Sequence, residues 1–170
     1  MILTLVRTST WLILSLVLFI ACNQSRHILS DKNIKEDKAY VEARNHKIEK
    51  LKSNAGKLIG RPYSHGSSGP KSFDCSGFTS FIFNSINITL PRMASDQAYL
   101  GHLINTENIQ PGDLVFFGSK RIDHVALVTN VKRGKITIIH SASSVGVSEL
   151  VLQKSDYWMK RLKFSRRVII

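Results

Sequence analysis

The feature that most constrains the fold is a change of hydrophobic period half-way along the chain. From His46 to Ile59 the apolar residues Ile48, Leu51, Ala55 and Leu58 recur at helical spacing, and Gly60 and Pro62 end that pattern. "SHGSSGPKS", residues 64–72, reads as a loop. A second helix is predicted from Cys75 to about Ser85, with Phe78, Phe81 and Ile82 on its apolar side. Beyond it the period drops to two. "DLVFFG", "DHVALVTN", "KITIIHSA", "GVSELVL" and "SRRVII" are short β-rich runs divided by turn residues. Helices that precede strands imply an α+β fold, with N-terminal helices packed on a mostly antiparallel five- to six-stranded sheet. The chain shows no internal repeat and no low-complexity segment.

At 170 residues there is material for one domain with an appended segment. With 43% hydrophobic and 21% charged residues, wholesale disorder and a multi-span membrane protein are both excluded. The formal net charge of +12 favours anionic partners: nucleic acid, acidic headgroups or an anionic wall polymer. No zinc-finger or aromatic-basic RNA-binding pattern accompanies it, so no nucleic acid is expected as a partner.

The first residues, "MILTLVRTSTWLILSLVLFIAC", set Arg7 before an apolar stretch from Trp11 to Ala21. That stretch is shorter than the roughly 20 apolar residues of a spanning helix. It matches the charged and apolar regions of an export signal. "FIAC" resembles the lipobox of bacterial lipoproteins, in which the cysteine is lipidated, although Phe19 stands where Leu is usual. Residues 1–21 are therefore expected to be a lipoprotein signal peptide, Cys22 the lipidated residue and residues 22–45 a polar tether, with residues 46–170 the folded domain. The expected location is the bacterial cell envelope, lipid-anchored. Asn23, which is not the Asp that retains lipoproteins at the inner membrane, points to the outer membrane facing the periplasm.

The chain has two cysteines. A lipid on Cys22 leaves Cys75 without a disulfide partner in an oxidising compartment, where an unused thiol is a liability. Asp74 suits the N-cap position, which sets Cys75 in the first turn of its helix. There the helix dipole and free backbone N–H groups favour a thiolate and could receive an oxyanion. Gly77 is expected to keep the surroundings open. Buried inert packing is the commoner fate of a cysteine.

Two histidines complete the pattern. His124 shares a strand face with Ile122, Ala126 and Val128, and His140 shares one with Ile136 and Ile138. A three-residue hairpin loop, Lys132 to Gly134, would set His140 diagonal to His124 on one face. A four-residue loop would set them on opposite faces. In the first case His124 can serve as base toward Cys75, with His140 orienting it. One cysteine and two histidines could instead ligate zinc, but neither C-x-x-C nor H-x-x-x-H spacing is present, so no metal and no cofactor is expected. His65 lies in the loop before Cys75 and could line a cleft. His27, His46 and His102 stand in polar surroundings and are expected to be solvated.

From about Ile48 to Val168 these segments resemble, in order, the NlpC family of papain-like cysteine peptidases of the bacterial cell wall. The pieces are "GRPYSHGSSGPKSFDCSGF", "LPRMASDQ", "IQPGDLVFF", "DHVALVTN", "IIHSAS", "GVSE" and "YWMKRLKFSRRV". The resemblance implies the papain-like NlpC fold, with Cys75 as nucleophile, His124 as general base and His140 as the third residue. It aligns Tyr63 with a tyrosine lining the site, and Asp74 and Ser76 with the residues flanking the nucleophile. Where the family usually has aromatic-Gly-Gly, this chain reads His65-Gly66-Ser67, so the cleft should differ in shape.

The implied function is hydrolysis of amide bonds in peptidoglycan stem peptides, at a D-glutamyl–diamino acid bond or a cross-link, by a monomer. Two alternatives stand beside it. One is a catalytically silent peptidoglycan-binding lipoprotein, against which the presence of all three residues argues. The other is a papain-like amidase or acyltransferase.

Overall fold

The computed structural model describes residues 34–170; the expected signal peptide, Cys22 and the first part of the expected tether lie outside them. A helix occupies residues 34–56 (α1). The chain divides into two compact units after Ala43, and residues 34–43 are helical and exposed. In the second unit, Ile48, Leu51 and Ala55 are buried, as their spacing predicts. Among the described residues no helix is long and apolar enough to cross a membrane.

Two further helices follow: Cys75–Asn84 (α2) and the short Ala94–Gln97 (α3). The strands are His102–Ile104 (β1), Leu114–Gly118 (β2), Ile122–Lys132 (β3), Lys135–Ala142 (β4), Gly146–Val151 (β5) and Leu162–Arg167 (β6). Asp156–Arg161 forms a last helix, α4, that runs directly into β6. The six strands make one sheet in the order β1-β6-β2-β3-β4-β5, every neighbour antiparallel. The α+β prediction holds. β1, α3 and α4 are too short to show a period in the sequence, and β6 begins earlier than "SRRVII" because it takes in "LKF".

Both faces of the sheet are covered. On one, Leu114, Phe116, Val125, Leu127 and Ile139 pack with Phe78, Ile82 and Phe83 of α2 and with Ile48, Leu51 and Ala55 of α1. On the other, Val115, Phe117, Ala126, Val128, Ile136 and Ile138 pack with Leu152 and Trp158. Central strands covered on both sides read as continuous apolar runs, which "LVFF" and "VALV" do.

The β3–β4 hairpin departs from the expected loop. Lys132 pairs with Lys135, so the loop is only Arg133-Gly134, both at positive φ (50° and 72°), as a type I′ turn requires. A two-residue loop alone would set His124 and His140 on opposite faces. A bulge at Thr129 corrects this: Asn130 pairs with Thr137 but Val128 pairs with Ile138, so the extra residue restores the offset of a three-residue loop. Carried along the strands, this register sets His140 beside Ala126, diagonal to His124.

Candidate active site

Cys75 opens α2. Asp74 is its N-cap, and its Oδ1 accepts a hydrogen bond from the Gly77 backbone N–H at 2.7 Å. The same carboxylate accepts from the Gly66 N–H at 2.9 Å and, through both oxygens, from the guanidinium of Arg92. Burial by itself would raise the Asp74 pKa; Arg92 and the backbone donors outweigh it and leave the carboxyl below its ordinary value. Arg92 also donates to Ser76 Oγ at 3.1 Å. Buried Gln97 completes the support: its Nε2 donates to the carbonyls of Ser76 and Pro91 and to Ser80 Oγ, while its Oε1 accepts from Thr79 Oγ1 at 2.7 Å. The start of α2 is thereby tied to the loop before it and to the segment after it.

Gly77 does not leave the surroundings open, as the sequence suggested. A Cβ there would lie 2.1 Å from the Ser67 carbonyl oxygen, which accepts from the Asp74 N–H. Only glycine lets the 64–72 loop pack this closely on the helix.

The thiol lies at the wall of a cleft of about 980 Å³. Tyr63, His65, Asp74 and Ser76 line it too, so all four residues named beside the nucleophile come together there. Met93, Tyr99, Arg121 and Arg166 form more of the lining, and sequence reasoning named none of them. The Cys75 Sγ sits 3.9 Å from the carbonyl oxygen of Asp123, the residue before His124. Burial pushes the thiol pKa up and Asp74 adds to that, against the backbone N–H groups of Val125, Ser76 and Cys75. The expected thiolate-favouring helix start is therefore overridden: the resting group is a neutral thiol. Tyr63 is likewise raised, by burial first and then by the charges at Cys75 and Asp74.

His124 and His140 are buried, at 8% and 1% exposure, and do not line the cleft. Their rings meet edge to face, with Nε2 of His124 at 2.9 Å from Nδ1 of His140. Trp158 of α4 stacks on His124 with ring centroids 4.5 Å apart and meets His140 edge-on at 4.9 Å. Burial, then the neighbouring His140 and then Arg161 bring the His124 pKa down to about 3, and burial brings His140 to about 4. Both rings are neutral at pH 7, so one nitrogen of each carries hydrogen. Among the described residues the thiol is hydrogen-bonded to neither ring; the bond to His140 uses Nε2 of His124 and leaves Nδ1 as its second nitrogen. His46 and His102 are exposed, as expected, and His27 lies outside the described residues.

The helix-start thiol thus lies in a cleft beside β3, whose His124 is hydrogen-bonded to His140 of β4. Residues 60–167 match the family model described as the NlpC/P60 family. The chain belongs to the NlpC/P60 family. Among curated relatives, the gamma-DL-glutamyl hydrolase of Bacillus subtilis is 33% identical over 137 residues, covering 77% of this chain and 32% of that protein. The bifunctional muramidase/DL-endopeptidase CwlT of the same organism is 36% identical over 138 residues, covering 78% of this chain and 39% of its own. A solved NLP/P60 family protein of Staphylococcus aureus, described as similar to lipoprotein, superposes with a TM-score of 0.63 at 33% identity over 74% of this chain and 42% of that one. The chain thus spans about a third of the length of these two curated relatives.

Arg92 and Gln97 lie in "LPRMASDQ" and Trp158 in "YWMKRLKFSRRV", two of the segments that carry the family resemblance. What the sequence lacked was any sign of which distant residue each one meets.

Proposed function

We propose that this NlpC/P60 domain is a cysteine-type hydrolase that cleaves amide bonds in peptidoglycan stem peptides. The observation that carries the reading is the location of the Cys75 thiol, in an open cleft and against the carbonyl of Asp123, the residue before a histidine held by its own hydrogen-bond partner. The names of the relatives, a gamma-DL-glutamyl hydrolase and a DL-endopeptidase, favour a bond on the glutamyl residue over a cross-link.

The tautomer decides how the pair works. With His140 accepting at Nδ1, His124 carries its hydrogen on Nε2 and presents a lone pair at Nδ1. As substrate enters, the thiol proton passes to that Nδ1 while Sγ attacks the carbonyl carbon. The backbone N–H of Cys75, at the positive end of α2, receives the oxyanion. His124, now positive, is stabilised by its Nε2–H donating to His140. It returns the proton to the departing amine, leaving a thioester on Cys75, and water activated by His124 releases the acid. Because thiol and imidazole are both neutral at rest, charge separates only once substrate is bound.

The same reading places the chain in the cell envelope. Cys22 carries the lipid, residues 22–45 hold the domain away from the outer membrane, and the basic charge suits an anionic wall. The lipoprotein-like description of the Staphylococcus aureus structure supports this assignment.

The test is to incubate the full chain and its Cys75→Ala variant with purified peptidoglycan and identify the products by mass spectrometry. New glutamyl termini with the wild type only are expected; equal fragments from both would remove Cys75 from the chemistry. Replacing Cys22 with Ser should release the protein from membranes, and unchanged partitioning would remove the anchor.

A further inference from the structure

α4 contacts the histidine pair, and also the residue that precedes His124, in ways that the mechanism above does not use. Its Trp158 stacks on His124, meets His140 edge-on and abuts Phe117 at 5.1 Å, so the Trp158 and Phe117 rings pack against the histidine pair. One turn on, Arg161 reaches back to β3. Its Nη2 donates to both carboxylate oxygens of Asp123, at 2.8 and 2.6 Å, and its Nη1 donates to Ser119 Oγ at 2.9 Å. Asp123 immediately precedes His124, and its carbonyl is the group that touches the Cys75 thiol.

The placement is built rather than incidental. Arg161 also lies over the Tyr157 ring at 5.2 Å, and Tyr157 meets Trp158 edge-on at 4.9 Å, so the helix braces its own two working side chains. Ser155 caps α4 by accepting from the Trp158 N–H, which fixes where that residue begins. Among the described residues Arg161 Nε is buried with no hydrogen-bond partner, a cost that a freely solvated arginine would avoid. β3 is irregular at this point as well: Phe117 pairs with His124 but Gly118 pairs with Ile122, so Asp123 lies in a break of the ladder. A residue outside the regular ladder needs another restraint, and the ion pair supplies one.

We infer that α4 positions the base: Trp158 seals the His124–His140 bond from water and Arg161 pins Asp123, and together they hold His124 in the orientation and tautomer that leave Nδ1 to the thiol. This rests on the reading of His124 as the base. Trp158 and Arg161 are positioning residues, since neither borders the reacting atoms. Water admitted to the pair would offer Nε2 and Nδ1 other partners and let both tautomers form. Loss of the ion pair would free the backbone that carries both the thiol's carbonyl contact and the imidazole.

The experiment uses the full chain and four variants: Trp158→Ala, Trp158→Phe, Arg161→Gln and Arg161→Lys. Lys160→Ala, an exposed residue of the same helix, is the control. Far-UV circular dichroism restricts comparison to folded variants, and the conservative Phe and Lys changes keep the test open should the others unfold. Nitrogen-15 NMR of the histidine rings reads the tautomer without substrate, and steady-state kinetics follow on a soluble stem peptide. Expected results are a single Nε2–H tautomer of His124 in the wild type and a mixture in Trp158→Ala and Arg161→Gln. In those two, kcat should fall about 10- to 100-fold with KM within about twofold, and Phe and Lys should recover part of it. A wild-type tautomer retained in the folded variants, or a change confined to KM, overturns the inference. Absence of any cleavage by the wild type would instead count against the proposed function, because the tautomer is read independently.

Discussion

His124 Nε2 and His140 Nδ1 lie 2.9 Å apart against the rings of Trp158 and Phe117, and that one bond occupies Nε2 of His124 and leaves its Nδ1. His140→Asn retains a carbonyl oxygen able to accept from Nε2–H, whereas His140→Leu leaves the donor buried and unpaired. The leucine variant should lose about 100-fold or more in kcat, and asparagine should keep a larger share. Steady-state kinetics on a stem peptide check this; equal losses in both would show that acceptance of that hydrogen is not what His140 contributes.

The same burial makes the domain acid-sensitive. Both histidines have folded-state pKa values near 3 and 4, below the ordinary 6.5, so in the folded state they resist a proton that the unfolded chain accepts readily. Their contribution to stability is therefore fully present above pH 6.5 and is lost as pH falls through the folded values. The slope approaches about 1.4 kcal/mol per pH unit for each buried neutral ring. Asp74, whose pKa lies below its ordinary 3.8, loses its contribution only below that value, so the loss between pH 6.5 and 4.5 belongs to the histidines. Urea unfolding between pH 7.5 and 4.5 should show the loss, and His140→Leu should flatten the slope.

Cys75 should be a slow thiol at neutral pH. Its burial outweighs the N–H groups that favour thiolate, and Asp74 repels a second negative charge beside it. Alkylation by iodoacetamide should therefore climb through alkaline pH, without the plateau near neutrality that a preformed thiolate–imidazolium pair produces. A plateau extending below pH 7 would contradict the neutral resting pair.

The thiol marks where sequence reading reached its limit. The N-cap at Asp74 was legible because capping is local, and so was the dipole at Cys75; the sign of the pKa shift was not, since it depends on burial by segments far along the chain. The histidine pair shows the converse. Which residues share a strand face with each histidine was legible from period-two alternation, but whether the two faces coincide turned on the hairpin loop, and the bulge that decides it was not legible: Thr129 lies in a continuous apolar-polar run that carries no mark of a bulge. Arg92 meets Asp74 across 18 residues and Arg161 meets Asp123 across 38, and no local pattern announces such partners. Short elements such as α3 and α4 escaped for a related reason, as a helix of one or two turns has too few positions to display a period.

Gly77 links the helix that carries the thiol to the loop that carries His65. An added Cβ would lie 2.1 Å from the backbone oxygen of Ser67, and 3.0 Å from Asp74 Oδ1, so neither neighbour can yield by moving a flexible side-chain end alone. Gly77→Ala must displace the 64–72 loop, break the Asp74 N–H bond to Ser67 and disturb the cap on α2. A helical glycine elsewhere would gain from this change in propensity; here the expected result is a loss of about 2–4 kcal/mol in urea unfolding, with activity falling in step because Tyr63 and His65 line the same cleft. Gly56, also helical but with open space around its Cβ position, provides the comparison: Gly56→Ala should be neutral or stabilising. If the two variants unfold at the same denaturant concentration, the close approach at Gly77 does not constrain the loop.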